Sequence, residues 1–308
     1  MEMQKITSVY FVGVGGIGMS ALARYFEAKG KHVAGYDKTP SDLTAALINE
    51  GIRIHYMDDV ALIPADCKQV DSTLVVYTPA IPETHAELNY FRENGFTLMK
   101  RAQVLGEITR SERGLCVAGT HGKTTTSSML AHLLKQSHVD CNAFLGGILK
   151  NYNSNLMLSD KSDLAVIEAD EFDRSFHWLN PYMAVITAVD PDHLDIYGTP
   201  EAYRESFEHF TSLIRPDGCL VMKKGLQLQP RLPKGAKLYT YSATEEADFF
   251  ARNIRIGNGD IVFDFVTPTG CIEDVKLGVP VKVNMENGVA AMALAQLNGV
   301  TDEEIKRG

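Results

Sequence analysis

The chain has 308 residues and a net charge of −9, from 30 Lys and Arg against 39 Asp and Glu. Two domains of ordinary size fit in that length, and a chain this long buries enough surface to fold without disulfide staples. Dispersed basic residues on an acidic background argue against a nucleic-acid partner but leave small phosphorylated ligands open, and five cysteines (Cys67, Cys116, Cys141, Cys219 and Cys271), with no C-x-x-C pair, are expected as free thiols in a reducing compartment.

The apolar run within Met1 to Val14 is too short to span a bilayer and ends in a glycine turn, so neither an anchor nor a signal segment is expected, and the protein is expected in the cytoplasm. Ile6–Val12 is predicted as a buried strand, followed by Gly13-Val14-Gly15-Gly16-Ile17-Gly18 and a helix over Ile17–Lys29. This is G-x-G-x-x-G in its strand–turn–helix setting. The next strand, His32–Tyr36, ends at Asp37, about 20 residues past the glycines, where a dinucleotide enzyme places an acid for a ribose hydroxyl. NAD(P) or FAD, another nucleotide, or purely structural glycines all fit this motif. Strands at Ile52–His55, Thr73–Tyr77 and Thr97–Met99 alternate with helices at Ser41–Glu50, Glu83–Asn94 and Arg101–Thr109. That alternation predicts a doubly wound α/β domain with its ligand over the carboxyl ends of the strands. Thr78-Pro79-Ala80-Ile81-Pro82 follows one such end, as part of the site or as a Pro-stiffened turn.

The domains are expected to divide near Gly106, into 1–106 and 107–308. Beyond it, Leu115–Ala118 is a strand, and Gly119-Thr120-His121-Gly122-Lys123-Thr124-Thr125-Thr126 leads into a helical run from Ser127 to Lys135. A glycine-rich turn of this kind aims backbone N–H groups and a helix dipole at an anion. Lys123 adds a positive charge and Thr124 a hydroxyl of the type that ligates Mg²⁺. The turn is shorter than the usual G-x-x-x-x-G-K-[ST], since position 117 is Val. It predicts a cradle for a nucleoside triphosphate. A hydride-transfer enzyme has no evident use for a second phosphate turn, so two nucleotides are expected: ATP, and a nucleotide handle on the substrate.

Strands near Asn142–Leu145, Leu164–Ile167, Met183–Thr187 and Cys219–Met222, with helices near Glu201–Ile214 and Asn284–Gln296, extend a second α/β layer. From Lys237 to Val281, short alternating runs around Gly257-Asn258-Gly259-Asp260 predict a small antiparallel unit. Glu168, placed just after the strand Leu164–Ile167, is the expected Mg²⁺ or Mn²⁺ ligand, with Asp170 and Glu171 read as a solvated acidic turn. His193, within Asp190-Pro191-Asp192-His193-Leu194-Asp195, is expected to bind a second cation or orient a phosphate.

GVGGIGMS (13–20), GTHGKTTT (119–126), and EADEFDRSF with DPDHLDIY (168–176 and 190–197) together resemble the Mur ligases, ATP-dependent enzymes of peptidoglycan precursor synthesis. The likeness spans nearly the whole chain and is strongest to the branch that adds L-alanine to UDP-N-acetylmuramate. It implies a Rossmann-like UDP-sugar domain (Gly15, Gly16, Ile17, Gly18, Met19, Asp37, Thr78, Ala80) and an ATP domain (Gly119, Thr120, His121, Gly122, Lys123, Thr124, Thr125, Asn287). It implies metal ligands at Thr124, Glu168 and His193, and catalysis by Lys123, Glu168 and His193 through an acyl phosphate. Thr187-Ala188 stands where the family usually has T-N, and Val283 where many members have His, leaving Asn287 as the adenine contact. Tyr203–Glu208 offers no lysine for carbamylation, which fits the alanine branch. The family's third domain is expected to be absent, so that this chain binds its ligands without turnover. A ligase joining a peptide to the same UDP-sugar, and an NAD-dependent oxidoreductase, are the competing readings.

Overall fold

Ser8-Val9-Tyr10-Phe11-Val12 is buried at every position. That continuous burial marks a central parallel strand covered on both faces. This strand, β1 (Ser8–Val12), is followed by α1 (Ile17–Ala28), β2 (His32–Tyr36), α2 (Asp42–Asn49), β3 (Arg53–His55), β4 (Thr73–Tyr77), α3 (Ala86–Glu93), β5 (Thr97–Lys100) and α4 (Arg101–Ser111). The computed structural model describes residues 3–257, 259–278 and 281–308. All five strands are parallel in the order β3-β2-β1-β4-β5. The strand order reverses between β1 and β4, and Val12 lies level with both Tyr36 and Tyr77, so three carboxyl ends open at one place. A crevice at such a switch point is where open α/β sheets bind ligands.

Among the described residues the second sheet has ten strands. Its elements are β6 (Arg113–Ala118), α5 (Lys123–Lys135), β7 (Asn142–Leu149), β8 (Ser154–Met157), β9 (Leu164–Ala169), β10 (Met183–Ile186), α6 (Leu194–Tyr197), α7 (Pro200–Ser212), β11 (Cys219–Lys223), β12 (Lys237–Ser242), β13 (Phe249–Gly257), β14 (Asp260–Thr267), β15 (Gly270–Leu277), α8 (Lys282–Leu297) and α9 (Asp302–Arg307). The order is β15-β14-β13-β12-β11-β10-β6-β9-β7-β8. Two compact units result, divided at Glu107/Ile108, with Gly146–Leu156 grouping with the first. Four thiols are buried and none is in a disulfide. Burial pushes Cys67, Cys141 and Cys219 up to about 12, so they stay protonated and inert.

The α/β class holds, with three corrections. The antiparallel unit is β13–β15 alone, because β12 runs parallel to β11 and meets β13 in parallel at Tyr241 and Ser242. Alternation along a strand reports which face is buried, not its direction, so β12 was indistinguishable from its neighbours. Helix α5 begins at Lys123 rather than Ser127, which puts Lys123, Thr124 and Thr125 in the first turn. Glu168 lies inside β9, paired with Val117 of β6, rather than after the strand. Asn258 of the expected hairpin turn lies outside the described residues.

Candidate functional site

In the second unit the loop between β6 and α5 is fixed by backbone geometry that admits no side chain. Gly119 has φ +140°, and a Cβ there would lie 2.9 Å from Ala188 N and collide with the Thr187 hydroxyl. Gly122 caps α5 with φ +83°, and a Cβ would sit 2.6 Å from Asn287 Oδ1. Thr187 donates to His121 O, and Thr120 N donates to Ala188 O at 3.1 Å. The cap makes no side-chain hydrogen bond. The first N–H groups of a helix have no carbonyl a turn below, so the start of α5 presents donors and a positive dipole end.

The loop's side chains divide by role. Lys123 Nζ donates to Gly119 O at 2.7 Å and lies 2.8 Å from Glu171 Oε2. Thr124 Oγ1 donates to Glu168 Oε1 at 2.9 Å, joining two hard oxygens suited to Mg²⁺. Among the described residues no three His, Cys, Asp or Glu side chains surround a common point. A cation at Thr124 and Glu168 would therefore complete its shell with phosphate and water. Thr120 turns away from the mouth, with its hydroxyl 2.8 Å from Asp190 O and 2.9 Å from the Tyr203 hydroxyl. His121 is exposed. Asn287 is buried under the loop, accepting from Thr126 Oγ1 at 3.2 Å and reaching Asn284 at 3.4 Å, so its carboxamide braces Gly122. His193 caps α6 with φ 52° and packs edge-on against Phe172 at 5.2 Å. The solvated-turn reading of Glu171 is overturned: its side chain is 2% exposed. Nothing in the local pattern of acids marks one of them as buried; the pairing with Lys123, 48 residues away in sequence, reveals it.

In the first unit, a cavity of about 530 Å³ opens over β1, β2 and β4, lined among others by Gly13, Gly16, Met19, Asp37, Thr78 and Ala80. Thr78–Pro82 thus does more than stiffen a turn. Lys38, Asp58, Tyr36 and His85 complete the wall and were not singled out by sequence. Gly15 and Gly18 serve the turn itself. The Gly15 amide donates to Asp37 Oδ2 at 2.6 Å, and Thr39 N donates to Oδ1 at 3.1 Å, so Asp37 closes the glycine turn with its own carboxylate. A Cβ on Gly18 would collide with the Arg101 guanidinium group and lie 2.9 Å from Arg101 Cδ. Arg101 brings a cation to the start of α1, and sequence pattern gave no sign of it. Ile17 is exposed, and its carbonyl accepts from Asn155.

Behind the cavity wall, the Tyr10 hydroxyl donates to Glu87 Oε2 at 2.6 Å, and His55 Nε2 lies 2.8 Å from the same hydroxyl. Burial raises the Glu87 carboxyl from its ordinary 4.5 to about 7. Burial lowers both His55 and His85.

Residues 8–113 match the Mur ligase family catalytic domain, and residues 117–295 match the Mur ligase middle domain. A UDP-N-acetylmuramate--L-alanine ligase of Parabacteroides distasonis is 75% identical over 308 residues, covering 100% of this chain and 67% of that protein. The chain thus spans about two thirds of the length of this relative. The crystal structure of a UDP-N-acetylmuramate-alanine ligase from Thermotoga maritima superposes with a TM-score of 0.81 at 26% identity, over 97% of this chain and 67% of the other. The UDP-N-acetylmuramate:L-alanyl-gamma-D-glutamyl-meso-diaminopimelate ligase of Neisseria meningitides shares the fold, with a TM-score of 0.82 at 23% identity over 98% and 97% of the two chains. Among the described residues no helix is long and apolar enough to cross a membrane.

Proposed function

The chain belongs to the Mur ligase family, and from that premise we propose that it carries the sugar-nucleotide and ATP sites of a ligase joining L-alanine to UDP-N-acetylmuramate. The observation that carries this reading is the start of α5, where Lys123, the Thr124–Glu168 pair and a helix start without a side-chain cap meet at one loop. Residues 1–106 are assigned to the UDP-sugar and 107–308 to ATP.

The sugar nucleotide takes the first cavity, its diphosphate against the start of α1 at Gly16–Met19 with Arg101 alongside. ATP lies on Gly119–Thr125. Mg²⁺ or Mn²⁺, held by Thr124 and Glu168, would neutralise charge on the phosphates. The lactyl carboxylate of the sugar attacks the γ-phosphorus in line and ADP leaves, giving an acyl phosphate. The L-alanine amine then attacks the acyl carbon and phosphate departs. Lys123 supplies positive charge where negative charge develops, and the N–H groups of α5 add to it without reorganising. No protein nucleophile is required, so positioning and electrostatics supply the catalysis. His193, at the carboxyl side of β10, is assigned to the second cation or the phosphate. An ATP-consuming reaction and unpaired thiols fit a cytoplasmic setting.

Two observations rank the alternatives. Identity of 75% along the whole chain to a UDP-N-acetylmuramate--L-alanine ligase favours the L-alanine reading over the peptide ligase. Asp37, which a dinucleotide enzyme would offer to a ribose, already accepts the Gly15 amide. Calorimetric titration with UDP-N-acetylmuramate tests the proposal: saturable 1:1 binding is expected, and no response to NADH. Tight NADH binding with no heat from the UDP-sugar would return the first unit to the dehydrogenases.

A further inference from the structure

Glu171 is a buried carboxylate, and its one cationic partner among the described residues is the loop lysine. Nζ of Lys123 lies 2.8 Å from Oε2 and 3.0 Å from Oε1, with the two side chains 15% and 2% exposed. The carboxylate is also anchored. The Glu171 carbonyl accepts from the Tyr197 hydroxyl and from Arg174 N at 3.0 Å. Asp173 and Arg174 hold left-handed backbone at φ 49° and 55°, a conformation that costs energy in residues with a Cβ and persists only where the surroundings enforce it. The Arg174 guanidinium supplies part of that enforcement, stacked 4.7 Å from the centre of the Tyr197 ring. Glu171 is therefore fixed by its backbone, while Lys123 reaches it through a flexible four-carbon stem.

We propose that Glu171 is a positioning residue that competes with the triphosphate for Lys123, holding the loop lysine back until phosphate oxygens take over its charge. This rests on the ATP reading of the loop and adds a residue to it. A fixed anion within ion-pair reach of the phosphate-binding cation repels an incoming polyanion, and a poorly solvated setting strengthens that repulsion. The lysine's charge is thereby partly withheld from the ground-state complex. Only interactions stronger in the transition state than in the ground state accelerate the chemical step, so a restrained lysine serves turnover better than one that grips ATP tightly from the outset.

The test is calorimetric titration of this chain with β,γ-imido-ATP and Mg²⁺, comparing the native protein with Glu171→Gln and Glu171→Met. Both substitutions keep the volume and remove the charge. Each is expected to tighten binding by about ten-fold or more, since a like charge about 4 Å away is worth several-fold in affinity even in water and more in a poorly solvated site. A residue that merely supports the loop would weaken binding when replaced. Unchanged or weaker binding in a folded variant overturns the proposal, as does failure of both variants to fold, which would assign Glu171 to the fold alone. Absence of binding by the native chain would instead overturn the ATP reading on which the proposal rests.

Discussion

Each unit sets a glycine-rich turn between a buried strand and a helix, yet the two turns are finished in opposite ways. After β1 the turn closes on an acid: Asp37 takes the Gly15 amide, and the cation beside the helix start, Arg101, arrives from α4. After β6 the turn is braced by uncharged groups, Thr187 and Asn287, and carries its own cation, Lys123, in the first turn of the helix. The spacing G-x-G-x-x-G therefore reports a backbone path and says little about which groups meet the ligand. G-x-x-G-K-T reports more, because the charged and hydroxyl side chains belong to the motif itself.

The sharpest break of this comparison is at Lys123. In a ligase that also carries the family's third domain, Lys123→Ala should slow phosphoryl transfer, read as ADP formation, by roughly 10²–10³, the scale of losing one charge-stabilising donor. It should also lower stability by about 3–5 kcal/mol, because it leaves the buried Glu171 carboxylate without its counterion. The double variant Lys123→Ala/Glu171→Gln separates the two effects: melting temperature should recover and rate should not. Recovery of rate in the double variant would show that Lys123 acts through folding alone.

The next break is inside the first turn. A side chain at Gly16 would meet only Met19 Cγ at 3.8 Å, an ordinary contact, while the residue lines the cavity. Gly16→Leu should fold normally, within about 0.5 kcal/mol, and weaken UDP-N-acetylmuramate binding roughly a hundred-fold, equivalent to about 3 kcal/mol. At Gly15 the order reverses, since a Cβ would stand 2.8 Å from Asp37 Oδ2 and 2.9 Å from Thr44 Cγ2. Gly15→Ala should lose about 1–3 kcal/mol of stability through overpacking. Calorimetry and thermal melting on the pair decide it, and equal binding losses at both positions would mean that Gly16 also serves the fold.

Both sheets and both turns were legible in the sequence, because apolar runs of five or six residues flanked by glycine admit few other structures. β2 and β4 fall on their expected residues, and the Thr124 hydroxyl donates to Glu168. What sequence did not show depends on partners distant along the chain. Burial of Glu171 requires Lys123, the tie on Thr120 requires Asp190 and Tyr203, and Arg101 reaches Gly18 only because β5 ends beside β4. The direction of β12 was equally hidden, since strand pairing is set by the neighbours a strand meets.

The smallest expected effect lies behind the first cavity and concerns pH. Glu87 is fully buried, and its carboxyl is raised from 4.5 to about 7, chiefly by burial and against the hydrogen bond from Tyr10. Between those values the folded chain holds a proton that the unfolded chain has released, so this group's contribution to stability is present at low pH and is lost as pH rises from about 4.5 to 7. His55 and His85, lowered by burial, act in the other sense, losing stability as pH falls below their ordinary 6.5. The native profile mixes these trends, but the difference between native protein and Glu87→Gln isolates the carboxyl. The amide keeps an oxygen for the Tyr10 hydroxyl and carries no charge at any pH. Glu87→Gln should therefore melt a few degrees above the native chain at pH 8 and show little gain at pH 5. An equal gain from Glu87→Gln at both values would mean that Glu87 is already ionised when folded, with Tyr10 and the Asp59 amide stabilising its charge.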